Sequence, residues 1–205
     1  MSVELATRLA EKASGNLRIL RSHTGSARTT ETSVLFRAGE RDKALEFLRR
    51  WFAEAVGDYL KICDAYFGLE DLEALRILQS TKPICRIWIL TSRMHLTSLN
   101  QPWEETFRTH WRMRVSDQDP PDTTIVVVGS EDSGRSPIHD RWWLTNEAGL
   151  GLGTSFNSLG RGGTSEVRLL SQLEADAKER ELEPFLRMER RDSNRERLRY
   201  TSFSL

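Results

Sequence analysis

The chain has 205 residues, and its 30 Lys and Arg balance 30 Asp and Glu. That balance excludes a global positive field drawing the molecule to nucleic acid or an anionic membrane, so any basic patch is local. With 29% charged and 38% hydrophobic residues the sequence is too apolar for a disordered chain, and it is long enough for one compact core.

From the start, Val3, Leu5, Leu9 and Ala13 recur at mixed helical spacing, and Ser14-Gly15 stops that helix. The segment is amphipathic and charged rather than signal-like. No apolar run approaches the roughly 20 residues that span a bilayer, so we expect a cytoplasmic location and no transmembrane segment. Leu17 to Leu20 reads as a short strand, and His23 to Thr30 as a small polar loop. That loop is either solvated surface or a phosphate contact through His23 and Arg28. Thr32 to Phe36 reads as a strand.

Glu40 to Val56 places Ala44, Leu45, Leu48, Trp51, Phe52 and Val56 on one helical face, and Gly57 ends it. Asp58 to Asp64 alternates as a strand and leads into Ala65-Tyr66-Phe67-Gly68, with a helix over Leu69 to Leu78. Ile84 to Leu90 is a nearly continuous apolar run that suits a buried strand. Pro102 opens a helix through Arg112, with Trp103, Phe107, His110 and Trp111 near one side, and Thr124 to Val128 is a third central strand. Cys63 and Cys85 both lie in apolar runs, as small hydrophobes rather than disulfide partners, and no His/Cys cluster has metal-ligand spacing. No cofactor is implied.

Strand then helix, repeated, is the pattern of a parallel-sheet α/β fold. Beyond it, Gly129 to Pro137 is a polar loop, His139 to Leu144 and Leu150 to Gly153 read as strands, and Glu166 to Leu170 as an edge strand. From Ser171 to about Arg199 the pattern is helical and dense in charge, with Pro184 as a kink or boundary. Its last part, Glu189 to Arg199, is a solvated helix face or frayed tail, or an arginine surface for a partner or nucleic acid. The expected division is 1–31 as N-terminal helix, strand and loop, 32–170 as the α/β domain, and 171–205 as a charged helical segment.

The chemistry is concentrated between Ile138 and Asn157. In an extended strand alternate residues share a face, so His139 and Arg141 put a nucleophile beside a cation. A second strand ending in Gly153-Thr154-Ser155 then turns, offering N–H groups, hydroxyls and the Asn157 amide, all phosphate ligands. The spacing runs His139-Asp140-Arg141, four residues to Asn146, six more to Gly153, then Thr154-Ser155-Phe156-Asn157.

This resembles the HKD motif of the phospholipase D superfamily: His-x-Lys, four residues, Asp, six residues, Gly-Ser-x-x-Asn. Arg141 stands at the Lys position, Asn146 at the Asp and Thr154 at the Ser. Tyr59 to Gly68, with its Asp-x-Tyr-Phe at a strand end, and the strand around Ile87 to Thr91 extend the likeness over most of 33 to 170.

The resemblance implies a phospholipase D-like half-domain, a mixed, mostly parallel sheet with helices on both faces. It implies a metal-independent phosphodiesterase in which His139 attacks phosphorus and Arg141 clamps the phosphate. Asn157 orients it, with Thr154, Ser155 and Asn146 among the phosphate ligands.

His110-Trp111-Arg112 has Asp117 at the family distance but no Gly-Ser-x-x-Asn, so the chain holds one motif. A complete site would then come from a homodimer. His95, just past a strand's C-terminal end, is a further pocket candidate.

Two readings stay open. One is an enzyme acting on nucleic acid or another phosphodiester, nuclease-type rather than lipase. The other is a degenerate module that binds a phosphorylated ligand, a membrane surface or a partner protein. By analogy either could sit in a larger complex such as a bacterial defence assembly.

Overall fold

The computed structural model describes residues 32–81 and 85–205. The helix, strand and loop expected within 1–31, with His23 and Arg28, lie outside the described residues, as does Ile84. The elements run β1 (Thr32–Phe36), α1 (Arg41–Ala55), β2 (Tyr59–Cys63), a tight helical turn (Leu69–Leu72) leading into α2 (Glu73–Thr81), and β3 (Arg86–Ser92). There follow α3 (Arg93–Leu96), α4 (Trp103–His110) and β4 (Thr123–Ser130). Then come β5 (Trp142–Leu144), β6 (Gly149–Leu152), a second tight turn (Phe156–Ser158), β7 (Ser165–Leu170), α5 (Gln172–Leu186), β8 (Asp192–Ser193) and β9 (Glu196–Ser204).

The strands form one mixed sheet in the order β1-β7-β6-β5-β2-β3-β4-β9-β8. The mixed α/β class is as expected, but the parallel part is narrower. Among the described residues only β2-β3 and β3-β4 pair in parallel, and every other pairing is antiparallel. The reason is local: helical crossovers follow β2 and β3, whereas β5 and β6 are joined by a four-residue turn that can only reverse the chain, and the β6–β7 connection holds a single tight turn and no crossover helix.

Helices cover both faces. Ile62, Ile89, Val127, Trp143 and Leu150 face α1, α2 and α4, whereas Cys63, Leu90, Val126, Trp142 and Leu144 face α5. In α1 the buried positions Ala44, Leu45, Phe47, Leu48, Trp51, Phe52 and Ala55 make one apolar stripe. A stack of Phe52, Trp143 and Phe156, with ring centroids 5.5 and 5.8 Å apart, joins α1, β5 and the second tight turn. Such pairs contribute about 0.5–1.5 kcal/mol beyond area burial.

On the other face Lys61 Nζ donates to Glu179 and Glu183, each at 2.6 Å, tying β2 to α5. The α5 N-terminus is a reciprocal cap: Ser171 N–H donates to the Glu174 carboxylate and Ser171 Oγ accepts from the Glu174 N–H. Pro184 lies inside α5, which runs on to Leu186.

Three expectations need correction. Beyond Leu186 the chain is not helical but a β-hairpin whose second strand pairs with β4 from Thr124↔Ser204 to Ser130↔Leu198. Alternation in Leu198, Tyr200 and Phe203 lets β9 bury apolar groups against both helical layers. Strand β7 is no edge, for it lies between β1 and β6. Finally, β5 starts at Trp142 rather than His139. Its neighbour β2 ends at Cys63, paired with Trp142, and Asp64 turns away to accept the Tyr66 N–H at 2.8 Å. Residues before Trp142 therefore have no strand partner on that side.

Candidate functional site

Register alone assembles the site. Cys63 pairs with Trp142 and Trp142 with Gly151, so the residues flanking those pairs, Asp64, Arg141 and the turn after Leu152, converge at one end of the sheet. That end carries the C-termini of the parallel strands β2, β3 and β4, where α/β sheets open a crevice. The Leu152 N–H still bonds the Arg141 carbonyl at 2.9 Å, and the Gly153 N–H bonds the Glu166 carbonyl at 2.8 Å. A Cβ on Gly153 would lie 3.2 Å from that carbonyl oxygen, which explains a glycine where β6 leaves the sheet against β7.

Arg141, Ser155 and Asp64 form a closed triangle. Arg141 Nε donates to Ser155 Oγ at 3.2 Å and lies 3.4 Å from Asp64 Oδ1, and Ser155 Oγ donates to the same Oδ1 at 3.2 Å. The Asp64 side chain is only 2% exposed. Burial raises its carboxyl above the ordinary range, opposed by the Tyr66 N–H, Arg141 and Ser155. The guanidinium also lies 4.9 Å from the centre of the Tyr66 ring, which is 48% exposed. Neither Arg141 Nη group has a hydrogen-bond partner among the described residues, so the outer part of the fork is available to an anion.

Asn157 is held from behind by a second buried carboxylate. Its N–H donates to Asp71 Oδ1 at 2.8 Å, and the Gly68 N–H donates to Asp71 Oδ2 at 2.9 Å. Burial pushes the Asp71 carboxyl up to about 6 against these two donors. The Asn157 amide oxygen accepts from Ser158 Oγ at 2.9 Å. The turn itself is pinned by Phe156, whose carbonyl accepts from Arg41 and whose ring lies 4.2 Å from the Arg41 guanidinium.

The expected residues do not all share this place. Arg141, Ser155 and the backbone of Asn157 join one network with Asp64 and Asp71. His139 is exposed, two residues before Arg141 in the extended approach to β5, and its imidazole has no hydrogen bond among the described residues. Thr154 follows Gly153 in the turn and makes no side-chain hydrogen bond there. Asn146 lies elsewhere, in the β5–β6 turn at the far end of β5, its amide beside Gly57 and its carbonyl accepting from Gln172. His95 does reach the site: its ring meets Tyr66 edge-on with centroids 5.8 Å apart. Burial lowers its pKa below the ordinary value, and the Asp64 carboxylate opposes this. A Cβ on Gly68 would come within 2.9 Å of the His95 Nε2.

Sequence reasoning missed Asp64 and Asp71. Asp64 carries a usable signal, a carboxylate ending an apolar strand run, which burial makes costly unless it has partners. Asp71 sits in a charged helical start and has no such mark. Among the described residues no three His, Cys, Asp or Glu side chains converge as metal ligands, and no helix is long and apolar enough to cross a membrane.

This arrangement is a phospholipase D-type α/β fold. Solved structures that share it include two of known name. NucT from Helicobacter pylori superposes with a TM-score of 0.52 at 11% identity, over 77% of this chain and 96% of NucT. The phosphatidylserine synthase of Haemophilus influenzae Rd KW20 gives 0.50 at 14% identity, over 84% of this chain and 42% of that one. The chain thus spans less than half of the synthase. No protein-family model matches the sequence, and no curated protein matches it.

Proposed function

We propose that the chain is a phospholipase D-type phosphodiesterase, of nuclease rather than lipase kind. The observation that carries this is Arg141, fixed along its Nε edge with both Nη groups left for an anion, two residues from an exposed, uncommitted imidazole. In this reading Arg141 and Asn157 hold the phosphoryl oxygens while the His139 nitrogen attacks phosphorus and the P–O bond to the leaving group breaks. A second imidazole protonates the leaving oxygen, and water then splits the phosphohistidine. Thr154 and Ser155 complete the turn on the phosphate side, whereas the position of Asn146 gives its assignment as a phosphate ligand no support.

One motif supplies one such histidine, so the reading includes a homodimer in which the mate donates the second. It also includes a cytoplasmic location and nucleic acid as substrate. A larger assembly, such as a bacterial defence system, rests on analogy with the fold.

The alternative, a module that binds phosphate without turnover, is favoured by one observation: among the described residues His139 is exposed and no partner orients its imidazole for attack. A phosphodiesterase assay on single-stranded DNA and on bis(p-nitrophenyl) phosphate separates the two. Wild type should cleave in the presence of EDTA, and His139→Ala should lose at least about a hundredfold in rate. Equal rates for the two proteins would reject the enzyme and leave the module.

A further inference from the structure

Sites for phosphate usually gather positive charge and free N–H groups. Here both kinds of donor are engaged in advance by buried carboxylates. Among the described residues the guanidinium at the base of the site, that of Arg141, lies 3.4 Å from Asp64. The Asn157 N–H, at the start of the tight turn where an anion would be drawn, is taken by Asp71 at 2.8 Å.

The charges packed around Asp64 do not restore a positive excess. Arg41, on α1, is spent on Glu73 at 2.9 Å and on the Phe156 and Leu159 carbonyls. Burial keeps His95, on α3, below its ordinary pKa despite Asp64, so it adds little positive charge at neutral pH. Tyr66 brings a ring and an N–H, and Ser155 a neutral hydroxyl. Asp140, before β5, faces Lys178 instead. Among the described residues, a ligand on the Arg141 Nη edge therefore faces one cation backed directly by the Asp64 carboxylate, with Asp71 partly offset by Arg41.

We propose that Asp64 is a specificity-determining residue that makes the site accept monoanionic phosphodiesters and reject dianionic phosphomonoesters. The proposal rests on the phosphodiesterase reading and gives it a direction. Hydrolysis breaks one P–O bond, adds water across it, and yields an alcohol and a phosphomonoester. Above its second pKa, roughly 6, the monoester loses a further proton to solvent and carries one more negative charge than the substrate. Repulsion by Asp64 grows with that charge, so the product leaves a site that retained the substrate.

The test is equilibrium binding of bis(p-nitrophenyl) phosphate and p-nitrophenyl phosphate at pH 8, by calorimetry, in a His139→Ala background that spares the ligands. We expect the diester to bind more tightly than the monoester. Adding Asp64→Asn should tighten both, the dianion more, and shrink the preference by about tenfold. Asp140→Asn, which removes an equal charge that faces Lys178 instead of Arg141, should leave the preference nearly unchanged. A monoester that binds as tightly as the diester, or a preference untouched by Asp64→Asn, would overturn the assignment.

If Asp64→Asn does not fold, the ratio of the two affinities in the His139→Ala protein, followed from pH 5 to pH 8, answers instead. Over the same range Asp71 gains negative charge and His95 loses positive charge, both weighing about twice as heavily on a dianion as on a monoanion, so the monoester should lose ground as it gains its second charge. A constant ratio would sink the proposal. Selectivity without turnover would reject only the enzyme reading, and turnover without selectivity only the role of Asp64.

Discussion

The Asp64 carboxylate grips the Arg141 guanidinium by its Nε edge, Oδ1 to Nε 3.4 Å, from a position beneath the site that solvent barely reaches. Each group justifies the other's burial, since either alone would be a desolvated charge.

Removing one partner should therefore cost more than removing both. Arg141→Ala leaves Asp64 with only the Tyr66 N–H and the Ser155 hydroxyl, and should destabilise the protein by about 2 kcal/mol. In the Arg141→Ala/Asp64→Asn double variant the loss should be smaller than the sum of the single losses by at least about 1 kcal/mol. Urea unfolding of the four proteins measures this cycle, and strictly additive losses would show that the pair is not coupled.

The assembly is read from dilution. A nucleophile and a leaving-group acid act from opposite sides of phosphorus, so one His139 cannot serve as both in one step. Specific activity and sedimentation, followed together, should fall from dimer to monomer over the same concentration range. A monomer that cleaves at full rate would place the second imidazole within the chain, with His95 against Tyr66 as the first residue to replace.

A third expectation concerns acid. The hydrogen bond from Arg168, with Ser171 adding two more against the cost of burial, lowers the Glu174 carboxyl to about 2. A depressed carboxylate stabilises the fold above its unfolded pKa, near 4.5, and that contribution disappears as pH falls toward 2. Glu174 is partly exposed, so solvent screening reduces the effect to about 1 kcal/mol. Glu174→Gln keeps the cap but loses the ion pair. It should be less stable than wild type by about that amount at pH 7 and equal to it near pH 2, by thermal unfolding across that range. A constant gap would assign the effect to packing.

The β5–β6 hairpin was legible because spacing becomes geometry in a hairpin. The four residues between Arg141 and Asn146 and the six before Gly153 are what the β5–β6 register needs to return the chain beside Arg141. The same arithmetic carries Asn146 to the opposite end of the strand, where a motif read as a flat string had counted it a ligand. What the sequence hid was cross-chain. Asp64 and Asp71 acquire their roles only when β2 and the following turn meet residues far along the chain.

The C-terminal hairpin was hidden by charge. Asn194-Arg195 turns it with both residues at positive φ, 50° and 67°, without the glycine that usually marks such a turn. Five arginines between Glu189 and Arg199 then gave the segment the look of a solvated helix.

That hairpin also sets an order of events in the cell. Strand β4 contains Ile125-Val126-Val127-Val128, all buried, and one of its edges is closed only by β9. On the ribosome 65 residues are added between the two strands, at roughly 5–20 residues per second. For those seconds an apolar strand of the sheet core presents an unpaired row of N–H and C=O groups. The last strand made thus works as a seal, and a chain cut short before Glu196 would leave the ribosome with that edge open.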